Sequence, residues 1–458
     1  MTDNLPPPHE DHDEPGGHFA EQAVEWSSDS GRPHPDVMRS LDHGKHGPKP
    51  CFSNLFKVIR DDPRWGRRLK LNKLGEVVEM DGKPLESEPV VTAELTEWIG
   101  DVYGMQLKPA VIRDAVYAVA GVYAYNPVQD YLSALPLWTG APTIERILPD
   151  VIGIGPSAVD YLLYQKFVRR TLIGAVARAM RPGCKMDTAL IFVGEQGGKK
   201  STFFKYLFGP AFFGDSPIPI GDKNAAIQLA ATWGYECAEM ESLSRKTAEE
   251  VKQWLSQADD LFRHIFERNA RRWPRHSVIV GTTNKTEFLT DSTGSRRFWP
   301  IPIPDDQVIN IHLLRSLRNA VWAEALQSWM DAEAILHRGE TPPEHLRWWF
   351  ERDEDRERAS ASKRFEVADV WDEVVIKWAN ECAYRFTIAD ILEDALDMDK
   401  ARMGEAERRR VGTILRRHGW TCKSDRSGGI VRDTWRRNAD HAAPTIPFVP
   451  ASDDGIPH

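Results

Sequence analysis

Cysteine is scarce in the sequence, and no two cysteines have the spacing of a metal-binding pair. The five cysteines are scattered through 458 residues, at Cys51, Cys184, Cys237, Cys382 and Cys422. An odd number of distant thiols argues against a disulfide framework, and the missing C-x-x-C pairs argue against a zinc site. The composition therefore excludes the small disulfide-rich secreted class and favours a reducing compartment.

Long apolar runs are also missing. No run approaches the roughly 20 apolar residues that span a bilayer. The first eight residues lack the basic and apolar regions of a signal peptide. We therefore expect a cytoplasmic protein without a membrane segment.

Positive charge is in deficit over the whole chain. The 59 Lys and Arg residues face 68 Asp and Glu residues, which gives a net charge of −9. This balance excludes a uniformly basic nucleic-acid-binding surface, so any such contact must come from local patches. At this length, with 41% hydrophobic residues, the chain can bury the cores of two or three domains.

A glycine-rich stretch follows an apolar run of β character at residues 189–193. The pattern G-x-x-x-x-G-K-[ST] predicts a phosphate-binding loop, and the sequence fits it except that lysine replaces the second glycine at position 199. Lys200 would reach the β- and γ-phosphates of ATP, and the Ser201 hydroxyl would ligate Mg²⁺. The alternative is a glycine-rich turn between a strand and a helix. The predicted nucleotide-binding residues are Gly194, Glu195, Gln196, Gly197, Gly198, Lys199, Lys200, Ser201 and Thr202.

Two later strands end in polar residues suited to the same chemistry. The strand predicted at 234–241 carries Glu239 and Glu241, which point to one side because they are two residues apart. One carboxylate would serve the metal, with Ser201 and Glu239 as the proposed ligands, and the other would orient the attacking water. The strand predicted at 277–284 ends at Asn284, which suits an amide that senses the γ-phosphate. A solvated strand end is the alternative for the two glutamates.

These motifs together resemble the virulence-associated protein E family. The likeness rests on residues 194–202, 238–244, 280–284 and 293–300, and it extends from about residue 51 to residue 331. It implies a P-loop ATPase related to the superfamily 3 helicases of phage, plasmid and satellite replication. Lys200 and Ser201 would be the Walker A residues, Glu239 and Glu241 the Walker B carboxylates, and Asn284 the sensor. The sequence departs from the family pattern at Lys199 and at residues 266–267, where Phe-Glu replaces Tyr-Gly.

The resemblance also implies an arginine finger at Arg296 or Arg297. A guanidinium supplied to the ATP of a neighbouring subunit makes hydrolysis depend on assembly. We therefore expect a homo-oligomer, and the family implies a hexamer. The alternative is that both arginines pair locally with Asp291 or cap a turn.

Two basic segments are candidates for DNA contact. Residues 263–275 interleave arginines with Phe266 and Trp273 where superfamily 3 relatives place a DNA-gripping hairpin, and this composition suits single-stranded DNA. Between Ala401 and Arg437, eleven Lys and Arg residues face four Asp and Glu residues, within a stretch that predicts three helices and a hairpin. The alternatives are a solvated basic turn and a winged helix that binds protein. The predicted DNA contacts are Arg268, Arg271, Arg272, Arg275, Arg409, Arg416 and Arg417.

The sequence predicts an α/β protein whose centre is a P-loop, AAA+-like ATPase of the superfamily 3 helicase type. The predicted segments are a disordered acidic tail at 1–50, an α/β and helical module at 51–150, the ATPase core at 151–340, a charged linker at 341–364, a winged-helix DNA-binding domain at 365–437 and a disordered tail at 438–458.

The expected function is ATP- and Mg²⁺-dependent DNA unwinding or translocation during replication of a mobile element. Single-stranded or forked DNA would bind the motor, and duplex DNA the winged helix. A separate primase is expected because no cluster of carboxylates and histidines upstream resembles a primase site. Two alternatives remain: a DNA-binding initiator or nucleotide-sensing switch with a degenerate loop, and a phage-defence ATPase.

Overall fold

The computed structural model divides the chain into two compact units, with the division between Asp130 and Tyr131. The structure describes residues 31–85, 88–217, 223–237, 248–263, 270–286, 288, 295–354, 358, 363–365, 369–382, 385–427 and 430–437. Within these residues, no helix has the length and apolar character needed to cross a membrane.

The first unit packs helices against a three-stranded antiparallel sheet of β3 (Leu69–Asn72), β4 (Val77–Met80) and β5 (Lys83–Pro84), in that order. Buried aliphatic side chains such as Leu55, Leu69 and Ile112 join the helices to the sheet in one core. The elements are α1 Pro35–Ser40, β1 His43–Gly44, β2 Gly47–Pro48, α2 Phe52–Asp61, β3 Leu69–Asn72, β4 Val77–Met80, β5 Lys83–Pro84, α3 Glu88–Tyr103 and α4 Pro109–Val122.

The prediction of a disordered tail up to residue 50 is wrong for residues 31–50. Val37 and Leu41 are buried in the core of the first unit. The buried Asn54 side chain accepts a hydrogen bond from Asp42 N and donates to Asp42 O and Lys49 O. Two apolar anchors and one satisfied amide therefore order a segment whose average composition is poor in apolar residues. Residues 1–30 lie outside the described part of the chain.

The second unit is built on a five-stranded parallel sheet. Its strand order is β12 (Phe298–Pro302), β6 (Ala189–Val193), β11 (Val278–Thr283), β8 (Gly234–Cys237) and β7 (Phe213–Gly214). The central strands β6 and β11 are buried along their whole length, as expected for a parallel sheet covered on both faces. The α/β class is confirmed. A separate antiparallel pair, β9 with β10, lies in the chain between β8 and β11. The strands are β6 Ala189–Val193, β7 Phe213–Gly214, β8 Gly234–Cys237, β9 Asp259–Phe262, β10 Arg271–Pro274, β11 Val278–Thr283 and β12 Phe298–Pro302.

Helices pack around this sheet, and one of them follows directly after the glycine-rich loop, defined here as residues 194–199. The carbonyls at the end of the helix that follows the loop accept hydrogen bonds from the longest helix: Trp322 Nε1 and Arg318 Nε donate to Leu207 O at 2.8 and 2.9 Å, and Arg318 also donates to Phe208 O. These bonds satisfy acceptors that a helix end otherwise leaves to solvent. The helices are α5 Pro127–Ser133, which contains the division between the units, α6 Tyr161–Met180, α7 Lys200–Phe208, α8 Lys223–Ala230, α9 Ala248–Ser256 and α10 Ile311–His337, with 3₁₀ and π segments at Ile144–Arg146 and Ile147–Ile152.

The predicted charged linker is wrong for its first part, residues 341–354. Trp348 is buried, and its Nε1 donates to Lys185 O at 3.0 Å. The buried Arg170 of α6 donates to Trp349 O at 2.8 Å and to a Glu354 carboxylate oxygen at 2.5 Å. Burial alone would raise the pKa of Glu354, but the bond from Arg170 lowers it on balance. Glu354, which the sequence places in a solvated charged linker, is thus paired with a buried arginine.

The C-terminal residues have a core of their own. Three helical segments precede a long antiparallel hairpin, and Phe386 forms an additional bridge to Trp435. Buried side chains such as Val375, Ile414 and Trp420 fill the space between the helices and the hairpin. The elements are α11 Asp372–Glu381, α12 Ile388–Asp390 continued by a π segment at Ile391–Ala395, α13 Glu405–Arg417, β13 Trp420–Ser427 and β14 Ile430–Arg437.

Candidate nucleotide-binding site

The order of the sheet brings two predicted site segments, the glycine-rich loop and Asn284, to one edge. Strands β6, β11 and β8 are parallel neighbours, with Thr283 opposite Val193 and Gly281 opposite Cys237. The glycine-rich loop follows β6 and Asn284 follows β11. Since the carboxyl ends of parallel strands lie at the same edge, the loop and Asn284 meet there.

The glycine-rich loop contains three residues in the left-handed region of backbone space. Gly194 and Gly197 have φ of 157° and 96°, and a Cβ on Gly194 would lie 2.8 Å from Ile303 O. Lys199, which replaces the expected glycine, has φ 60° and ψ 30°. A lysine in this conformation costs about 1 kcal/mol or more relative to glycine. The lysine therefore keeps the conformation of the glycine it replaces, at an energetic cost.

Lys200 is buried at the start of α7, with its ammonium directed back to the loop. Its Nζ donates to Gly194 O at 2.7 Å, Glu195 O at 2.6 Å and Asn284 Oδ1 at 3.0 Å. Burial lowers the pKa of the Lys200 ammonium, and the nearby charge of Glu236 partly opposes that change. The structure thus joins two predicted site residues, Lys200 and Asn284, through a direct hydrogen bond.

Glu236 of β8 is a site residue that the sequence reasoning missed. Its Oε1 accepts hydrogen bonds from Ser201 Oγ at 2.7 Å and from Thr282 Oγ1 at 2.6 Å. Glu236 is only 2% exposed, and its Oε2 is buried without a hydrogen-bond partner among the described residues. A glutamate inside an otherwise buried strand was the available signal, since an unpaired buried carboxylate is costly and marks a special site.

The pair formed by Ser201 and Glu236 fits a magnesium ion in donor chemistry. Mg²⁺ is held in such sites by hydroxyl and carboxylate oxygens together with substrate phosphates. The unpartnered Glu236 Oε2 offers a further oxygen. Within the described ranges, no group of three His, Cys, Asp or Glu side chains could hold a metal. Glu239 and Glu241 lie outside the described residues, and so do Arg268 and residues 266–267.

Arg296 and Arg297 lie at the opposite edge of the sheet from Lys200. They directly precede β12, whose first residue Phe298 is level with Ala189 at the start of β6. The length of β6, about 13 Å at the rise of a strand, therefore separates them from the glycine-rich loop of their own chain. Arg296 is exposed, and Arg297 Nε lies 3.2 Å from Ser256 Oγ. Asp291, the predicted local partner, is outside the described residues.

The predicted DNA contacts of the β9–β10 pair differ in their exposure. Arg271 is exposed, and its guanidinium carbon lies 3.6 Å from the Trp273 ring centroid. Arg272 is exposed and pairs with Asp259 at 3.0 Å. Arg275 is only 3% exposed, and its guanidinium donates to both carboxylate oxygens of Asp260. Arg275 is therefore a structural residue, and its prediction as a DNA contact is corrected.

The predicted contacts on α13 also divide into outward and inward side chains. Arg409 is exposed and bonded to Glu405 one turn earlier, and Arg416 is exposed with its guanidinium carbon 5.4 Å from the Trp435 ring centroid. Arg417 instead pairs with Asp372 of α11 at 2.9 Å and is largely buried. Arg409 and Arg416 are thus open to a ligand, whereas Arg417 joins two helices.

The chain was compared with curated proteins and with solved structures. No curated protein matches the chain. Among solved structures, the A-form apo structure of the NrS-1 C-terminal region (305–718) has 12% identity and a TM-score of 0.35, covering 69% of this chain and 79% of that chain. Another A-form apo structure of the NrS-1 C-terminal region has 10% identity and a TM-score of 0.39, covering 80% and 95%.

A family model has a more direct bearing on the site. The model of the virulence-associated protein E-like domain matches residues 132–367. This range is just over half of the chain and contains the glycine-rich loop, Glu236, Asn284 and Arg297. The chain therefore belongs to the virulence-associated protein E-like family.

Proposed function

We propose that the chain is a Mg²⁺-dependent ATPase that translocates along or unwinds DNA during replication of a mobile element. The observation that carries the proposal is the convergence of Lys200, Ser201, Glu236 and Asn284 at one edge of a parallel sheet. A buried cation, a hydroxyl bonded to a buried carboxylate, and an amide are the groups that phosphoryl transfer from ATP requires. In this proposal the second unit contains a P-loop core of the superfamily 3 helicase type.

Each group has a distinct role in that reaction. The Lys200 ammonium would exchange the carbonyls of the glycine-rich loop for β- and γ-phosphate oxygens, a stronger charge-assisted contact. Ser201 and Glu236 would hold Mg²⁺, which when bound neutralises charge on the phosphates. Asn284, released from Lys200, would then orient the γ-phosphate or the attacking water. Glu239 and Glu241 remain the proposed residues for metal binding and water activation.

DNA contact is proposed at two surfaces. Arg271 and Trp273 combine a cation with an aromatic face, which suits a single strand whose bases stack while its phosphates pair with arginine. Arg409 and Arg416 would contact duplex phosphates from α13, with the C-terminal helices and hairpin acting as a winged helix. Arg272 remains a proposed contact. Arg268, which lies outside the described residues, also remains a proposed DNA contact.

Arg296 and Arg297 are proposed to act on the ATP of a neighbouring copy in a homo-hexamer. Their distance from the glycine-rich loop of the same chain supports action between subunits, because a finger must contact the transferring phosphoryl group. Priming would come from a separate protein.

The test is phosphate release by the full chain with and without single-stranded DNA, using Glu236→Gln as the site variant. The glutamine has the same shape but lacks the charge, so we expect turnover to fall about 100-fold or more, the size typical of a lost electrostatic group in catalysis. Glu340→Gln, an exposed glutamate after α10, is the matched control and should keep full activity. No phosphate release from the wild type, or equal rates for Glu236→Gln and the wild type, would contradict the proposal.

The strained Lys199 favours one other candidate function, a nucleotide-sensing switch or DNA-binding initiator. A loop under strain can bind ATP without aligning it for hydrolysis. ATP binding without turnover, with DNA affinity that changes when ATP binds, would identify this second function.

A further inference from the structure

A cavity of about 550 Å³ lies at the edge of the sheet opposite the glycine-rich loop. Asp187 and Thr188 directly precede β6, while Arg296 and Arg297 directly precede β12, and all four line it. The cavity is therefore separate from the candidate nucleotide-binding site of the same chain. Among the described residues, those that line it are Arg181, Lys185, Met186, Asp187, Thr188, Arg296, Arg297, Leu336, Trp348, Trp349, Phe350 and Arg358.

The lining is strongly cationic. Five of these side chains are Arg or Lys, and Asp187 is the one carboxylate among them. Asp187 is 4.0 Å from Lys185, at the limit of an ion pair, and Arg181 is bonded to Glu333 at 2.9 Å. Even with Glu333 counted, cations exceed carboxylates by three. Like charges around a concave surface raise its potential and attract anions.

The cavity also has a rigid wall that suits an organic anion. Arg358 is only 6% exposed, and its guanidinium carbon lies 5.1 Å from the Phe350 ring centroid. The half-buried indole of Trp349 lies in the same wall and is held edge-on by the buried Trp348 at 4.7 Å. A fixed guanidinium binds phosphate oxygens at little entropic cost, and an indole face suits a nucleobase.

We propose that this cavity is a second anion site that binds the polyphosphate group of a free nucleotide. Its volume is within the range of pockets that enclose small ligands. Four of the five cations are arginine, whose guanidinium binds phosphates in bidentate geometry. The cavity shares Arg296 and Arg297 with the proposed finger, whereas Arg181, Lys185 and Arg358 have no role in the proposed ATPase, so a test at Arg181 and Lys185 separates the two functions.

The experiment is calorimetric titration of the full chain with inorganic tripolyphosphate and, separately, with ATP. Every protein carries Lys200→Ala, so that the glycine-rich loop contributes equally in all of them. The site variant adds Arg181→Ala and Lys185→Ala, two exposed cations of the cavity wall. We expect these changes to weaken binding of both ligands about tenfold or more, as the loss of charge-assisted bonds to phosphate predicts. The control adds Lys70→Ala and Lys83→Ala, two exposed lysines of the first unit, and should bind as the parent does.

The outcomes separate this proposal from the ATPase. Equal affinity of the site variant and the control, or no tripolyphosphate binding by the Lys200→Ala parent, would overturn the second site. If the site variant lost affinity for a single-stranded oligonucleotide but not for tripolyphosphate or ATP, the cavity would be a DNA contact, and the proposal would also be overturned. With Lys200 intact, Arg181→Ala/Lys185→Ala should retain basal phosphate release, which shows that the fold is preserved.

Discussion

The adjacent lysines at the end of the glycine-rich loop and the start of α7 differ in exposure and in backbone conformation. Lys200 is buried with three oxygen acceptors, whereas Lys199 is exposed and occupies a left-handed conformation that favours glycine. We predict that Lys200→Ala abolishes ATP turnover. Lys199→Gly should preserve or increase turnover and raise the free energy of unfolding by about 1 kcal/mol, because strain is relieved. Phosphate release and chemical denaturation measure these effects.

One result would contradict this assignment. If Lys200→Ala retained full activity while Lys199→Ala were inactive, Lys199 would be the phosphate-binding lysine. The register of the loop motif would then be wrong.

The buried Lys200 also predicts a pH dependence. Burial lowers its pKa below the ordinary 10.5, so the ligand-free protein loses this positive charge at a lower pH than an exposed lysine would. Since ATP binds the charged form, affinity for ATP should decline as the pH rises, beginning below that ordinary value. Lys200→Arg should keep its affinity over the same range because a guanidinium stays charged.

Equilibrium binding of a fluorescent ATP analogue between about pH 7 and pH 10 tests this, given the ordinary pKa of lysine. Lys205→Arg, at an exposed position of α7, is the control and should follow the wild-type profile. Superimposable profiles for the wild type and Lys200→Arg would exclude titration of Lys200 as the cause.

At the scale of elements, the C-terminal helices and hairpin can be removed at a position that the packing defines. Phe365 is buried in a cluster with Ile191, Val193 and Phe288, so it belongs with the sheet. We predict that deleting residues 368–458 weakens DNA binding about tenfold or more at low salt, because the deletion removes Arg409, Arg416 and the other phosphate-binding cations. Basal ATP hydrolysis should remain, since Lys200, Ser201, Glu236 and Asn284 are retained.

Fluorescence anisotropy with labelled DNA measures the affinity at low salt, where phosphate contacts are strongest. The full-length Arg409→Ala/Arg416→Ala variant should reproduce part of the loss without a truncation. DNA affinity equal to that of the full chain would remove this segment from the proposed DNA surface.

The sequence predicted several strands and helices, but not which charged side chains are buried. Local patterning was sufficient to find β6, β11 and the C-terminal hairpin, because each is a strongly patterned segment. Glu236 and Arg275 were misjudged because their environment is set by residues distant in the chain, Ser201 and Asp260. The residue type alone does not show whether a charged side chain is buried in an ion pair or exposed to solvent. Only the tertiary contacts distinguish the two cases.

At the scale of the whole molecule, the opposite positions of Lys200 and Arg297 make a prediction about assembly. If Arg296 or Arg297 acts on a neighbour's ATP, each complete site needs groups from two chains. A mixture of Lys200→Ala chains with Arg296→Ala/Arg297→Ala chains should therefore recover activity, because some sites combine an intact loop with an intact finger. Since a finger changes the rate by about 10³ to 10⁵ in related phosphoryl-transfer systems, the recovery should be large.

The mixture is assayed for phosphate release at concentrations where light scattering detects oligomers. Each parent alone, at the same total concentration, is the control. A local structural role for the two arginines predicts activity no greater than the sum of the parents, and that result would reject a shared site.

The outer strand β12 has a consequence for how copies of this chain can meet. It is the end strand of the described sheet and carries Pro300 and Pro302. Ile303 N donates to Val193 O at 2.7 Å, so by the two-residue period of a strand the odd-numbered N–H groups face β6 and the two prolines face outward. Proline has no N–H, and the outer edge therefore lacks donors that an incoming strand would need. Copies of this chain at high concentration therefore cannot readily pair strands at that edge and aggregate. Any ordered contact between copies there must be made by side chains.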